Sequence, residues 1–279
     1  KLEKGTDGFW YCIAPIVIEP PSCNPNNRVS QQGNPILPIM QSKIQYVVDL
    51  QGNGRLKLAR YFHQHRRHNL LNSVHDNFSS GYTTRWRSNF DYRLNVNNQS
   101  GIVRYALERP DGVMQYFNVA GLGIFNYGFA KETIAAIGGE YHYRDENGVI
   151  YVFLSSGAPR RVIYPDGYTQ RLSYGGLNNI LVNTLGNSLV REVPASFLVK
   201  VTDSYGGVLA FAYNQTLNLE SVTFSGKDKV IYEYQDNNNM DARFLLKSVT
   251  YADGSQVKYI NGFDGSLLEI WDEKNEKFA

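Results

Sequence analysis

The residues best suited to chemistry in this 279-residue chain are a cluster of histidines and arginines near position 65. His63 and His65 stand two apart, with His68 close behind. On a strand, side chains at i and i+2 share a face and could reach one metal ion. No carboxylate motif completes a ligand set nearby, and His75 and Asp76 would contribute only if the fold returned them. The same stretch carries Arg60, Arg66 and Arg67. Arg60, His63, His65, Arg66, Arg67 and His68 are therefore read as an exposed basic patch, suited to a polyanion or to the acidic surface of a partner.

The other candidates dissolve into structure. Asp91 and Arg93 lie in the box Arg85-Trp86-Arg87-Ser88-Asn89-Phe90-Asp91-Tyr92-Arg93-Leu94, which reads as a bent strand whose Asp and Arg satisfy backbone groups or pair. Asp111, Asp166, Asp253 and Asp264 each precede a glycine, Gly112, Gly167, Gly254 and Gly265. Aspartate there bonds to backbone N–H groups two residues on, so these are structural turns and not an acid/base set. No G-x-S-x-G elbow, P-loop or H-E-x-x-H occurs, and Gly121-Leu122-Gly123 is a lone G-x-G. The reading is of a non-enzyme, with no catalytic residue, metal or cofactor. Abundant Tyr and Asn would suit stacking on sugars, although tyrosine in a sheet more often packs across strands.

Cys12 and Cys23 sit in a Pro-rich segment. Their spacing allows a disulfide that closes a short loop, with two free thiols as the alternative. Oxidation would place the chain outside the cytosol. Residues 1–32 read as a leader: Pro15, Pro20, Pro21 and Pro25 exclude helix. Phe9, Trp10 and Tyr11 are too apolar for a free tail, so the leader is expected to lie against the next domain or inside a cavity. The alternative is a disordered tail after Pro20. Lys1-Leu2-Glu3-Lys4 runs into Gly-Thr-Asp-Gly and not into an apolar stretch, so no signal-peptide pattern is read.

The elements that must position these residues are strands. The chain has 20 Tyr, 14 Phe and 25 Gly, a mixture that favours pleated surfaces joined by tight turns. Alternating apolar runs flank Pro110-Asp111-Gly112, Pro165-Asp166-Gly167 and Ala252-Asp253-Gly254, a strong hairpin signal. From Glu140 onward the hairpins recur, a degenerate array of about twenty residues per strand pair, as expected of stacked units sharing a core. One short helix is expected over 131–137, where Lys-Glu-Thr-Ile-Ala-Ala-Ile is followed by Gly138-Gly139 as a stop. The net charge of +2 gives no field for nucleic acid, and no apolar run is long enough for a membrane span. The whole is an all-β chain, with a large twisted antiparallel sheet.

Three stretches resemble the N-terminal region of Rhs/YD-repeat proteins, bacterial relatives of the teneurins and of toxin-complex shells. They are Gly33-Asn34-Pro35, the strand Leu56-Lys57-Leu58-Ala59-Arg60-Tyr61-Phe62, and above all the Trp86 box. Arg109-Pro110-Asp111-Gly112 followed by Tyr116-Phe117 is similar to the family's next hairpin. Leu37-Pro38 and the segment from His63 to Asn72 depart from the pattern. The resemblance implies segments 1–32 (a plug-like leader), 33–160 (the N-terminal region with the Trp86 box) and 161–279 (YD-type hairpin repeats). It implies an open or partly spiralled β-shell that encloses or presents a toxin, on a secreted or cell-surface bacterial protein. The partners would be the remaining shell and a toxin domain, with self-association through open sheet edges. The alternative function is a surface β-module that binds a glycan or a partner protein.

Overall fold

The computed structural model describes residues 2–4, 10–12, 36–37, 42–52, 55–63, 86–99, 102–112, 114–120, 123–126, 132–176, 193, 195, 197–214, 217–235, 245–262, 266–272, 274 and 276. The chain divides into two compact units, Lys1–Gln32 and Gly33–Ala279. In the first, β1 (Leu2–Lys4) pairs antiparallel with β2 (Trp10–Cys12). The Cys12–Cys23 pairing lies outside the described residues.

The second unit begins with a four-stranded sheet of β3 (Ile36–Leu37), β4 (Ser42–Gln51), β5 (Lys57–His63) and β6 (Trp86–Ser88). Another four-stranded sheet follows: β7 (Arg93–Gln99), β8 (Ile102–Glu108), β9 (Met114–Ala120) and β10 (Gly123–Asn126).

The main sheet has twelve strands that follow one another in chain order. They are β11 (Thr133–Ile137), β12 (Glu140–Arg144), β13 (Ile150–Phe153), β14 (Pro159–Ile163), β15 (Thr169–Tyr174) and β16 (Leu198–Asp203). Then come β17 (Val208–Tyr213), β18 (Leu219–Phe224), β19 (Asp228–Tyr234), β20 (Leu246–Thr250), β21 (Gln256–Asn261) and β22 (Leu267–Trp271). Every pairing is antiparallel and the sheet is not closed: β11 and β22 are its outer strands among the described residues. The fold is all-β. The sheet begins at Thr133 and runs through residue 160, so the segments 33–160 and 161–279 share one sheet.

The expected helix over 131–137 is instead β11. Gly138 and Gly139 both take positive φ, +59° and +83°, and Ile137 faces Glu140 across them. Two successive positive φ values make a primed two-residue hairpin turn, which suits strand twist. The glycines that read as a helix stop are therefore a hairpin loop. Ile134 is fully buried with Leu94, Tyr105, Leu107, Phe117, Tyr143 and Phe153. Tertiary packing overrides the high helix propensity of Ala and Glu, which is worth only tenths of a kcal/mol per residue.

The repeat has a sharper frame than turn spacing reveals. Leu198, Leu219, Leu246 and Leu267 start successive units, and Val201, Val222, Val249 and Ile270 follow three positions on, all buried. Near the end of a unit comes a register shift, at Tyr174, Tyr213, Tyr234 and Asn261. The side chain at that shift donates to the carbonyl fifteen positions earlier: Tyr174 to Pro159 (2.7 Å), Tyr213 to Leu198 (2.6 Å), Tyr234 to Leu219 (2.8 Å) and Asn261 to Leu246 (2.8 Å). A bulge bends the strand and re-aims one side chain. Here the re-aimed group ties the end of each hairpin to its beginning. Tyr234→Phe is expected to cost about 1 kcal/mol, the net worth of one such bond. Tyr213→Phe should cost the same, and urea denaturation of the two single variants and the double should show nearly additive losses.

Alternation sends one face of the long sheet inward. In β17, Leu209, Phe211 and Tyr213 are buried while Ala210 and Ala212 are exposed. The inward face packs on Leu50, Leu56, Leu58, Phe62, Trp86 and Phe90 of the first four-stranded sheet and the corner after it. At the other end, β11 to β13 share a second core with β7 to β9.

Candidate functional site

Two of the polar groups that sequence marked for chemistry, Arg60 and Asp91, belong to structural knots. The first is a buried ion pair. Between Val48 and Leu50 the pairing of β4 with β5 slips by one residue, so Asp49 is the extra residue of a bulge. It is buried, as is Arg60, whose side chain shares the inward face of β5 with Leu58 and Phe62. Arg60 Nε donates to Asp49 Oδ2 at 2.5 Å and Nη2 donates to Oδ1 at 2.9 Å, the two-pronged geometry that guanidinium and carboxylate favour.

The long sheet completes this knot. Arg60 Nη2 also donates to Tyr259 Oη at 3.0 Å, and Tyr232 Oη donates to Asp49 Oδ2 at 2.7 Å. The guanidinium carbon lies 4.5 Å from the centre of the Trp86 ring and within 5.6 Å of Tyr232 and Tyr259. Burial alone would pull the Arg60 pKa down. The attraction of Asp49, helped by Tyr259, Tyr251 and Tyr232, outweighs it and holds Arg60 well above its ordinary value. Arg60 thus leaves the exposed basic patch in which its charge had placed it. His63 ends β5, and its side chain together with His65, Arg66, Arg67 and His68 lies outside the described residues.

The second knot is the Trp86 box, a corner between two sheets. Asp91 is buried, and its Oδ2 accepts from the Ser88 N–H at 2.7 Å. The Asp91 N–H bonds to the Ser88 carbonyl, and Ser88 Oγ accepts from the Phe90 N–H. Asn89 ties the corner to β5: its Oδ1 accepts from Ala59 N–H and its Nδ2 donates to the Lys57 carbonyl. Phe90 packs edge-on against Phe211. Every polar atom of the box named here serves the backbone, as the sequence suggests for Asp91.

The turn residues behave as aspartate-glycine turns should. Gly112, Gly167 and Gly254 have φ of +88°, +85° and +84° and donate to Arg109, Tyr164 and Tyr251. Asp166 and Asp253 accept from the N–H two residues on, Tyr168 and Ser255. Asp111 pairs with Arg109 at 3.0 Å. Asp264, His75 and Asp76 lie outside the described residues. Among the described residues, no group of three or more His, Cys, Asp or Glu is placed to hold a metal ion.

One cavity of about 180 Å³ opens where the layers meet. Lys57 and Tyr61 of β5, Tyr92 of the corner, and Arg109 and Asp111 of the turn line it, and the long sheet adds Tyr151 and Tyr164. Tyr92 and Tyr151 pack with ring centres 4.4 Å apart and planes tilted by 37°, and their hydroxyls bond at 3.1 Å. Burial pushes the phenols of Tyr61, Tyr92, Tyr151 and Tyr164 upward, so all four stay protonated at neutral pH. Sequence gave no hint of this cleft, since its lining comes from four separate stretches.

Behind Arg109 lies a buried carboxyl. Glu132 is within 3.8 Å of Arg109 and hydrogen-bonded to Gln115. Burial raises its pKa, more than Tyr143 and Arg109 lower it. A carboxyl whose folded pKa exceeds its unfolded value binds more protons in the folded state, so its contribution to stability falls as pH rises from the unfolded to the folded value. Asp145 is shifted the same way, burial being the main cause. Glu132→Gln is expected to flatten the mildly acidic limb of the stability–pH curve, measured as the urea midpoint at successive pH values.

No family profile matches the sequence, and neither does any curated protein. Among solved structures, the chain is similar to a porin-like protein from Bacteroides uniformis at 11% identity and a TM-score of 0.31, over 64% of this chain and 86% of that one. It is also similar to a chain of the TcdB2-TccC3-Cdc42 structure at 11% identity and a TM-score of 0.25. That match spans 63% of this chain but 12% of the other chain's length. Both likenesses are shallow. No helix among the described residues is long and apolar enough to cross a membrane.

Proposed function

We propose that this chain is a non-catalytic segment of a β-shell of the Rhs/YD-repeat kind that its sequence resembles, a wall that encloses or presents a toxin. One observation carries the reading: the recurring tie of a bulged Tyr or Asn to the carbonyl fifteen positions earlier, set in an open antiparallel sheet. Such a unit adds strands without closing the sheet, which is what a wall requires. The charged and polar groups on its inner side support the reading, because Asp49, Arg60 and Asp91 are spent on one another and on backbone. In this reading Lys1–Gln32 is plug-like, Cys12 and Cys23 are bonded, and the protein is secreted or displayed at the bacterial surface. The partners are further shell repeats and the cargo.

Limited proteolysis of the native polypeptide tests it. An enclosed segment should survive trypsin until the wall melts, and should then be lost in step with unfolding. Digestion of every segment other than the wall at low temperature, while the wall itself stays intact, would contradict enclosure.

A further inference from the structure

We propose that the outward face of β12 to β16 docks on the anionic surface of a membrane, its arginines taking the phosphate groups of lipid heads. Register fixes which side chains share that face. Val162, Gln170, Leu172 and Val201 are buried on the inward side. Their neighbours along each strand point the other way. Arg161 stands directly opposite Arg171, Arg171 opposite Thr202, and Lys200 opposite Ser173. His142 and Arg144 of β12 belong to the same face, through Val152 and Ile150 of β13. Arg160 is the extra residue where the pairing of β13 with β14 shifts, and it is exposed beside them.

Like charges directly opposite one another across a strand pair destabilise a sheet. Within the protein, one carboxylate reaches this group of cations. Glu140 holds Arg160 at 2.6 Å and stands 3.8 Å from His142 and 4.0 Å from Arg161. Arg144, Arg171 and Lys200 are exposed and make no ion pair with a described residue. Balancing the face takes anions from outside the molecule. Spread and relief choose a membrane over a small anion. Strands lie about 4.8 Å apart, so the cations from β12 to β16 reach across roughly 19 Å. Thr169, Ser173 and Thr202 stand among them and are short, which leaves the face shallow. A single phosphate would meet Arg161 and Arg171 and leave the others in water, whereas a plane of phosphates meets them all. The planar fork of arginine matches two phosphate oxygens at each contact. Ile137 shares the face, opposite Glu140, and is 54% exposed. Apolar area and basic charge act together in binding at a lipid surface.

The test is co-sedimentation of the full chain with vesicles of phosphatidylcholine, alone or mixed with phosphatidate. Inorganic phosphate and a duplex oligonucleotide serve as competitors. Vesicles with phosphatidate should bind at least tenfold more tightly than phosphatidylcholine alone, and added salt should weaken the binding. Arg171→Gln and Lys200→Gln should each weaken it about fivefold, the worth of one cation near an anionic lipid surface. Lys247→Gln on β20 should leave it unchanged. Without lipid, Arg171→Gln should raise the melting temperature by about 1–2 °C, because it removes the repulsion from Arg161. A fall in melting temperature would mean that Arg171 is balanced inside the protein, and overturns the proposal. So does equal binding to phosphatidylcholine, or binding that Arg171→Gln leaves intact. Displacement from the vesicles by an equal concentration of inorganic phosphate assigns the face to a free anion, and tighter binding of the oligonucleotide assigns it to nucleic acid; either overturns the membrane reading. Should Arg171→Gln fail to fold, Lys200→Gln and the two competitors decide.

Discussion

Replacing Asp49 with alanine is expected to cost about 3–5 kcal/mol, because it leaves the Arg60 charge buried without its carboxylate. The loss should appear as a large fall in the urea midpoint with little change in slope. The signature of an ion pair, as opposed to mere packing, lies in the double variant. Asp49→Ala with Arg60→Met removes both charges and fills the guanidinium's place with an apolar chain. It should recover a large part of the stability, since replacing both members of a buried pair is often close to neutral. Arg60→Lys should not recover it. Lysine has one ammonium where Arg60 uses Nε and Nη2 on Asp49 and Nη2 again on Tyr259. Because Asp49 and Arg60 belong to β4 and β5 while Tyr232 and Tyr259 belong to β19 and β21, the Asp49→Ala variant should also loosen the join between two sheets. Hydrogen exchange in β19 and β21 should rise more than in β12 and β13.

Gly157→Ala is the second large effect. Gly157 has φ of +83°, and a Cβ added there would lie 2.1 Å from the Leu94 carbonyl oxygen, closer than any real contact allows. The left-handed conformation alone costs an L-residue about 1–2 kcal/mol, and the clash adds to it. Relief requires moving the backbone of Leu94, whose N–H bonds to the Gly157 carbonyl at 3.0 Å. That bond is where the end of the Trp86 box meets the main sheet, so the substitution separates two layers and not merely a turn. A fall in melting temperature well beyond that of Gly167→Ala is expected. At Gly167 the φ is similar, +85°, but nothing lies within 4 Å of an added Cβ. Differential scanning calorimetry of the two variants isolates the clash from the backbone strain.

Much of this architecture was legible in the sequence because it rests on local signals. Asp-Gly pairs mark turns, and alternation marks the inward face. The Trp86 box declared itself as structure, and Asp91 caps the Ser88 backbone accordingly. Residues 131–137 read as helix in the sequence because Gly138-Gly139 is a stop signal for a helix as well as a primed turn for a hairpin. Only the partner strand Glu140–Arg144 decides between the two. Arg60 reads as exposed for a related reason. Its shared face with Leu56 and Leu58 was visible, but its charge suggested solvent. Asp49, the residue that allows it to be buried, reaches inward through a bulge that no composition rule reports. The fifteen-position tie is hidden in the sequence because a bulge alters the spacing at the end of each hairpin. The cleft was illegible altogether, since Lys57, Tyr92, Arg109 and Tyr164 come together only once three sheets are packed.

The most direct test of the shell account is cryo-electron microscopy of the native polypeptide purified from its own cells. The account predicts that the twelve-stranded sheet continues beyond β22 into a curved wall, with polypeptide held against its inner side. A sheet that ends at β22 with solvent on both sides, or one that closes on itself as a narrow barrel around a water-filled channel, would contradict it.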